Sequence, residues 1–124
     1  MKLLSSLCKH AHSQNFLIIM DAKRGDIGST SQAYANAYLG KDAPFPSDAL
    51  TINPWLGIDS LEPFFKKASE TSCGLFVLVH TSNKGSKDIQ EISLSTGINS
   101  MRIVHILLNQ LLQKLKGPIG SSAL

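Results

Sequence analysis

Long apolar runs are missing from this sequence. None exceeds Phe16-Leu17-Ile18-Ile19-Met20, and crossing a bilayer takes about 20 apolar residues. The N-terminal stretch has neither a long apolar core nor a small-residue cleavage site, so no signal peptide is expected. Cysteine is scarce. Cys8 and Cys73 are the only two and form no CxxC pair, which argues against a disulfide framework and points to two buried thiols in a cytoplasmic protein. The four histidines are scattered, so no zinc-site spacing exists. Charge of one sign is not concentrated either. Twelve Lys and Arg against nine Asp and Glu leave a net charge of +3, without a basic run that would mark a nucleic-acid surface. No repeat or low-complexity tract is present. What remains is 124 residues, 43% hydrophobic and 17% charged, the profile of one folded globular domain at most.

The pattern of elements is regular. Leu3–His12 carries Leu3, Leu4, Leu7, Cys8 and Ala11 at helical spacing. Phe16–Met20 then reads as a short strand buried on both faces. Ala-rich Ser29–Leu39 reads as a helix, with Ser29 or Thr30 as its cap and Gly40 as its stop. The two prolines in Lys41–Ser47 mark a loop. Ala49–Ile52 is a second strand, closed by Asn53-Pro54. Ile58–Thr71 is a helix capped by Asp59 or Ser60, and its Pro63 is tolerable only near the first turn. Leu75–Val79 is a third strand. Polar Thr81–Thr96 is loop-like, with a short element at Ile89–Leu94. Ile98–Leu115 has the strongest helical stripe, through Met101, Val104, Leu108, Leu111, Leu112 and Leu115, and Gly117-Pro118 ends it. Strictly alternating helices and strands predict an α/β fold with a parallel sheet and crossover helices. Three strands close no barrel; an eight-stranded α/β barrel takes ~250 residues, about twice this chain.

In parallel α/β folds chemistry gathers where strands end. Three polar segments hold that position here: Asp21–Gly28, Asn53–Gly57 and His80–Ser86. The first is the richest. Alternation along a strand points Asp21 and Lys23 to the same side, and a carboxylate beside an ammonium favours the charged form of each. Asp26 adds a second carboxylate three residues on. Two carboxylates around one lysine would keep it protonated as a general acid. A salt bridge that merely closes a strand end is the competing reading.

The segment Asp21-Ala22-Lys23-Arg24-Gly25-Asp26-Ile27-Gly28 resembles the Asp-x-Lys-x-x-Asp-Ile signature of the orotidine 5'-phosphate decarboxylase family. The resemblance continues through Ser29-Thr30, Ala33-Tyr34-Ala35, Asn53–Gly57, Asp59–Phe64 and Gly74–Ser86. It is clear over residues 16–86, weaker elsewhere, and closest to the longer, mainly bacterial subgroup. Three ordered motifs are far more specific than one. The resemblance implies part of a TIM (β/α)8 barrel, its third to fifth strands, as a single partial domain over residues 1–124. It implies decarboxylation of orotidine 5'-monophosphate to UMP in pyrimidine biosynthesis, without metal or organic cofactor.

Residue roles follow from the resemblance. Asp21 would lie near the substrate carboxylate. Lys23 would stabilise the carbanion at C6 and then protonate it. Asp26 would complete the charge array across a homodimer interface, with Ile27 and Thr30 in the same cross-subunit substrate contact. Ser82 would hydrogen-bond the pyrimidine ring. The family also uses a lysine on the preceding strand, an aspartate on the first strand, and a phosphate-gripping loop and arginine after later strands. This sequence has no counterpart to any of them, and Gly117–Ser122 resembles the approach to the sixth strand. The chain is therefore expected to be truncated at both ends and weak or inactive alone, with open sheet edges. A nucleotide is the expected partner; no nucleic acid or membrane is.

Other residues read more plainly. His10 and His12 would face solvent and core. His80 reads as a structural hydrogen-bonding residue and Trp55 as a packing residue. Gly25 and Gly28 read as turn formers rather than phosphate-cradling glycines. The alternatives are a Mg-dependent sugar-phosphate decarboxylase relative with the same Asp-x-Lys-x-x-Asp pattern, and a non-catalytic remnant or half-barrel.

Overall fold

The computed structural model describes residues 2–115. The Gly117-Pro118 stop and the segment resembling a sixth-strand approach lie outside them. Two compact units are present, residues 1–78 and residues 79–124.

The first unit runs α1 (Lys2–Ser13), β1 (Ile19–Arg24), α2 (Gly28–Tyr38), β2 (Ala49–Ile52), α3 (Ile58–Thr71) and β3 (Gly74–Val77). The strands form one parallel sheet in the order β1-β2-β3. Each successive pair is joined through a helix, and α2 and α3 pack on each other. The core lies between these helices and the sheet. Tyr38 and Leu39, Leu50 and Ile52, and Leu61 and Phe64 are buried there. Burying one such side chain is worth about 1.5–3 kcal/mol, and β2, central in the sheet, contributes two.

Two strands differ from expectation. Phe16–Ile18 stands outside β1, which starts at Ile19 and runs on through the charged Asp21–Arg24. Nor are β1 and β3 buried on both faces. Their side chains alternate between exposed and half-buried, with Ile19 57% and Phe76 53% exposed. The helices cover one face of the sheet and leave the other open, so an apolar run does not translate into two-sided burial. β3 begins at Gly74 and ends at Val77, after which the Leu78 amide still bonds the sheet, to Ile52 O at 3.0 Å.

Helix ends also depart from the capping expectation. The cap of α2 is Ile27, with no side-chain bond. Gly28, at φ +46°, lets the helix begin before Ser29 and Thr30, which become first-turn residues. Ser31 Oγ donates to Asp26 O. The cap of α3 is Gly57, and Ser60 Oγ donates to its carbonyl at 2.6 Å. Pro63 sits in the second turn of α3, leaving one backbone carbonyl without its helical donor. The α1 stripe is largely unburied: Cys8 is buried, while Leu3, Leu4 and Leu7 are exposed. Cys73 is half-buried, and both cysteines are free thiols.

The second unit holds a 3-10 turn (Lys84–Ser86), α4 (Lys87–Gln90) and α5 (Ser100–Leu115). The short element expected at Ile89–Leu94 is thus a helical turn placed earlier. It is followed by a Ser93–Asn99 antiparallel bridge around Gly97, whose φ is +74°. Among the described residues no helix is long and apolar enough to cross a membrane.

Candidate active site

Asp21 and Lys23 meet on the open face of the sheet. Lys23 Nζ donates to Asp21 Oδ1 at 2.6 Å. The pairing of β1 with β2 explains how. Met20 pairs with Leu50 and Arg24 with Ile52, so Asp21, Ala22 and Lys23 stand opposite the single residue Thr51. This is a bulge, the device by which strands re-aim a side chain. Within it Lys23 takes φ +47°, the left-handed region that costs a residue with a side chain about 1–3 kcal/mol. Such strain persists only where its surroundings hold it in place. Thr51 does so here. Its Oγ1 accepts the Lys23 amide at 2.9 Å and lies 2.9 Å from Asp21 Oδ1, to which it donates. Lys23 first, and then Thr51, hold the Asp21 carboxyl below its ordinary range, against a weaker opposing push from burial. Both charged side chains remain more than half exposed, so the pair acts through geometry more than through a low-dielectric setting.

Arg24 turns to the opposite face. Its guanidinium lies over the Tyr34 and Tyr38 rings, 5.1 and 5.7 Å from their centroids, and Nη2 donates to Tyr38 Oη at 3.2 Å. That anchors the bulge to α2. Gly25 allows the chain to pass close to the end of β2, since a Cβ there would stand 3.0 Å from Asn53 O. Its φ is not positive, so close approach rather than turn formation requires glycine.

Asp26, Ile27 and Thr30 lie where β1 passes into α2. Asp26 Oδ1 accepts the Ile27 amide at 2.8 Å. Among the described residues no ion pair joins Asp26 to Lys23. Ile27 and Thr30 are exposed. Ser82 belongs to the second unit and is exposed. Its loop is held by a clamp in which Thr81 N donates to Gln90 Oε1 at 2.8 Å and Gln90 Nε2 donates to Thr81 Oγ1 at 3.0 Å. His80 Nε2 stands 3.5 Å from Glu91 Oε1. Trp55, read as a packing residue, is 70% exposed; the turn after β2 carries it out of the core.

Sequence reasoning passed over Thr51. Its signal was a lone hydroxyl in the apolar strand Ala-Leu-Thr-Ile, next in the sheet to the charged strand. An open groove of about 530 Å³ lies at the other end of the strands, beside His12, Phe16, Lys41 and Asp48, away from the carboxyl ends where such folds place chemistry. Among the described residues no group of three or more His, Cys, Asp or Glu is placed to hold a metal ion.

A parallel α/β sheet with a lysine–carboxylate pair at a strand's carboxyl end places the chain among the parallel α/β folds that keep their chemistry at that end. Comparison with known proteins narrows that class. A sequence model of the orotidine 5'-phosphate decarboxylase / HUMPS family matches residues 4–123, and the chain belongs to this family. The orotidine 5'-phosphate decarboxylase of Rhodopirellula baltica is 47% identical over 95 residues, covering 73% of this chain and 32% of that protein. The Streptomyces coelicolor enzyme of the same name is 44% identical over 105 residues, covering 83% and 38%. A solved structure from Streptomyces avermitilis, provisionally named an orotidine 5'-phosphate decarboxylase, superimposes with a TM-score of 0.78. Its identity is 42%, over 97% of this chain and 42% of that one. The Leishmania donovani OMP decarboxylase gives 0.67 at 34% identity, over 82% and 37%. The chain thus spans less than half the length of these relatives.

Proposed function

We propose that this chain carries the lysine–aspartate segment of an orotidine 5'-phosphate decarboxylase, which converts orotidine 5'-monophosphate to UMP and CO₂. The observation that carries the reading is the Lys23–Asp21 contact in the strained bulge of β1, within a chain of this family. In the proposed step the bond from C6 to the carboxylate carbon breaks, CO₂ leaves, and the electron pair remains on C6. The Lys23 ammonium beside C6 stabilises that charge and transfers a proton from Nζ to C6, giving UMP; solvent returns the proton to the amine. Asp21 lies toward the substrate carboxylate and orients the ammonium. Asp26, Ile27 and Thr30 serve the neighbouring site across a homodimer, and Ser82 hydrogen-bonds the pyrimidine.

The reading treats residues 1–124 as one partial barrel domain in the cytoplasm, where two unpaired thiols stay reduced. It also makes the 124-residue chain by itself a weak catalyst or an inactive one. An ammonium half exposed to water loses most of its electrostatic leverage on a carbanion. Calorimetric titration with a 6-substituted UMP tests the reading, beside Lys23→Ala and with a polypeptide supplying the rest of the barrel. Binding by the assembled pair that weakens in the variant supports it. Assembly with no binding overturns it. Activity lost in EDTA would instead favour a metal-dependent relative.

A further inference from the structure

The Lys23 main chain, the Lys23 ammonium, the Asp21 carboxylate and the Thr51 hydroxyl form a closed ring. The Lys23 amide donates to Thr51 Oγ1 at 2.9 Å, Thr51 donates to Asp21 Oδ1 at 2.9 Å, and Lys23 Nζ donates to the same Oδ1 at 2.6 Å. One hydroxyl therefore touches both the strained backbone and the carboxylate paired with the ammonium. The register skips from Met20 to Arg24, whose carbonyl accepts the Asn53 amide at 2.8 Å, and between them the Lys23 amide turns to the Thr51 side chain.

We propose that Thr51 is a positioning residue of the decarboxylase site, its hydroxyl holding Lys23 in the left-handed conformation and setting the Asp21 carboxylate against the ammonium. The role rests on the function proposed above, but the ring itself does not. A hydroxyl is needed because the position must accept from one group and donate to another. Valine matches the shape of threonine and does neither. Serine does both. Lys23 is the charged group facing Asp21, from β1 itself. β2 contributes only the neutral Thr51, and Arg24 is turned to Tyr38.

The first test needs no substrate. Carboxyl-detected NMR titration of the 124-residue chain compares wild type, Thr51→Ser and Thr51→Val. The Asp21 midpoint moves upward in Thr51→Val and stays in Thr51→Ser, and Lys23 amide exchange in Thr51→Val quickens about tenfold. An unmoved midpoint in folded Thr51→Val overturns the proposal, because a purely structural threonine would lower stability and leave Asp21 alone. If Thr51→Val does not fold, the wild-type Lys23 amide decides: its shift follows the Asp21 titration with the same midpoint, and indifference to it overturns the proposal.

A second test uses the assembled enzyme. Thr51→Val lowers kcat about tenfold or more, as loss of a hydrogen bond to a charged group implies. KM changes less than about threefold, and Thr51→Ser restores kcat. A change confined to KM overturns the proposal. An assembly that neither binds nor decarboxylates overturns the proposed function, while the titration still reports on the ring.

Discussion

His12 Nε2 of α1 lies 2.9 Å from Asp48 Oδ2, the oxygen that also accepts the Ile18 amide at 2.7 Å. One carboxylate thus ties the first helix, the entry to β1 and the entry to β2. Burial pushes the Asp48 carboxyl up. The Ile18 amide, the His12 hydrogen bond and the charges of His12 and Lys41 together outweigh it, so the group sits below its ordinary range. A carboxyl whose folded value is depressed adds stability that is fully present above its unfolded value of about 3.9. That stability fades as the pH falls through the folded value. Urea midpoints for wild type and Asp48→Ala should therefore differ most above about pH 4, and the gap should narrow as the pH falls further. A gap of the same size at pH 6 and pH 2 would refute this linkage.

Lys23 separates strain from chemistry. Glycine occupies the left-handed region freely, whereas alanine does not. Lys23→Gly should be more stable than Lys23→Ala by about 1 kcal/mol, after allowance for the extra chain entropy of glycine. Both variants should lose at least about a hundredfold in decarboxylation when assembled with the rest of a barrel. Chemical denaturation and single-turnover assays measure the two effects independently. Equal stabilities would mean that the bulge relaxes without the lysine.

Gly40 closes α2 at φ +103°, and a Cβ there would meet the Thr71 methyl at 2.8 Å. Gly40→Ala should combine backbone strain with a clash against α3 and lower stability by about 1–3 kcal/mol. Thr71→Ser beside it should restore part of the loss, a coupling that a double-mutant cycle reads directly.

Phe64 is fully buried on α3. Phe64→Ala should cost about 3–5 kcal/mol, a large share of the roughly 5–15 kcal/mol that holds an ordinary domain folded. Urea denaturation followed by circular dichroism should show a lowered midpoint. An unchanged midpoint would mean that the α2–α3 layer contributes less than its burial implies.

The bounds of β2 and α3 follow from the sequence to the residue, at Ala49–Ile52 and Ile58–Thr71. In these segments local pattern and tertiary environment agree, because both pack in the middle of the layer. The same reasoning misplaced β1. Phe16 and Leu17 are as apolar as any core residue, yet they are exposed, since hydrophobicity says nothing about which side of a sheet finds cover. Trp55 stands outside the core for a related reason: its position is set by the turn after β2, not by its size.

The motif around Lys23 was legible because its chemistry lies in residue identity and close spacing. Alternation along a strand is a local property, and it already put Asp21 beside Lys23. Chain order likewise determined the parallel α/β class, since alternating helices and strands leave few topologies open. Tertiary structure alone decided that Lys23 sits in a bulge at φ +47° and that Thr51, 28 residues away along the chain, accepts its amide. Strand register depends on how two distant segments pair, and pairing is a balance of packing and hydrogen bonding over the whole sheet. No pattern within either segment contains that balance.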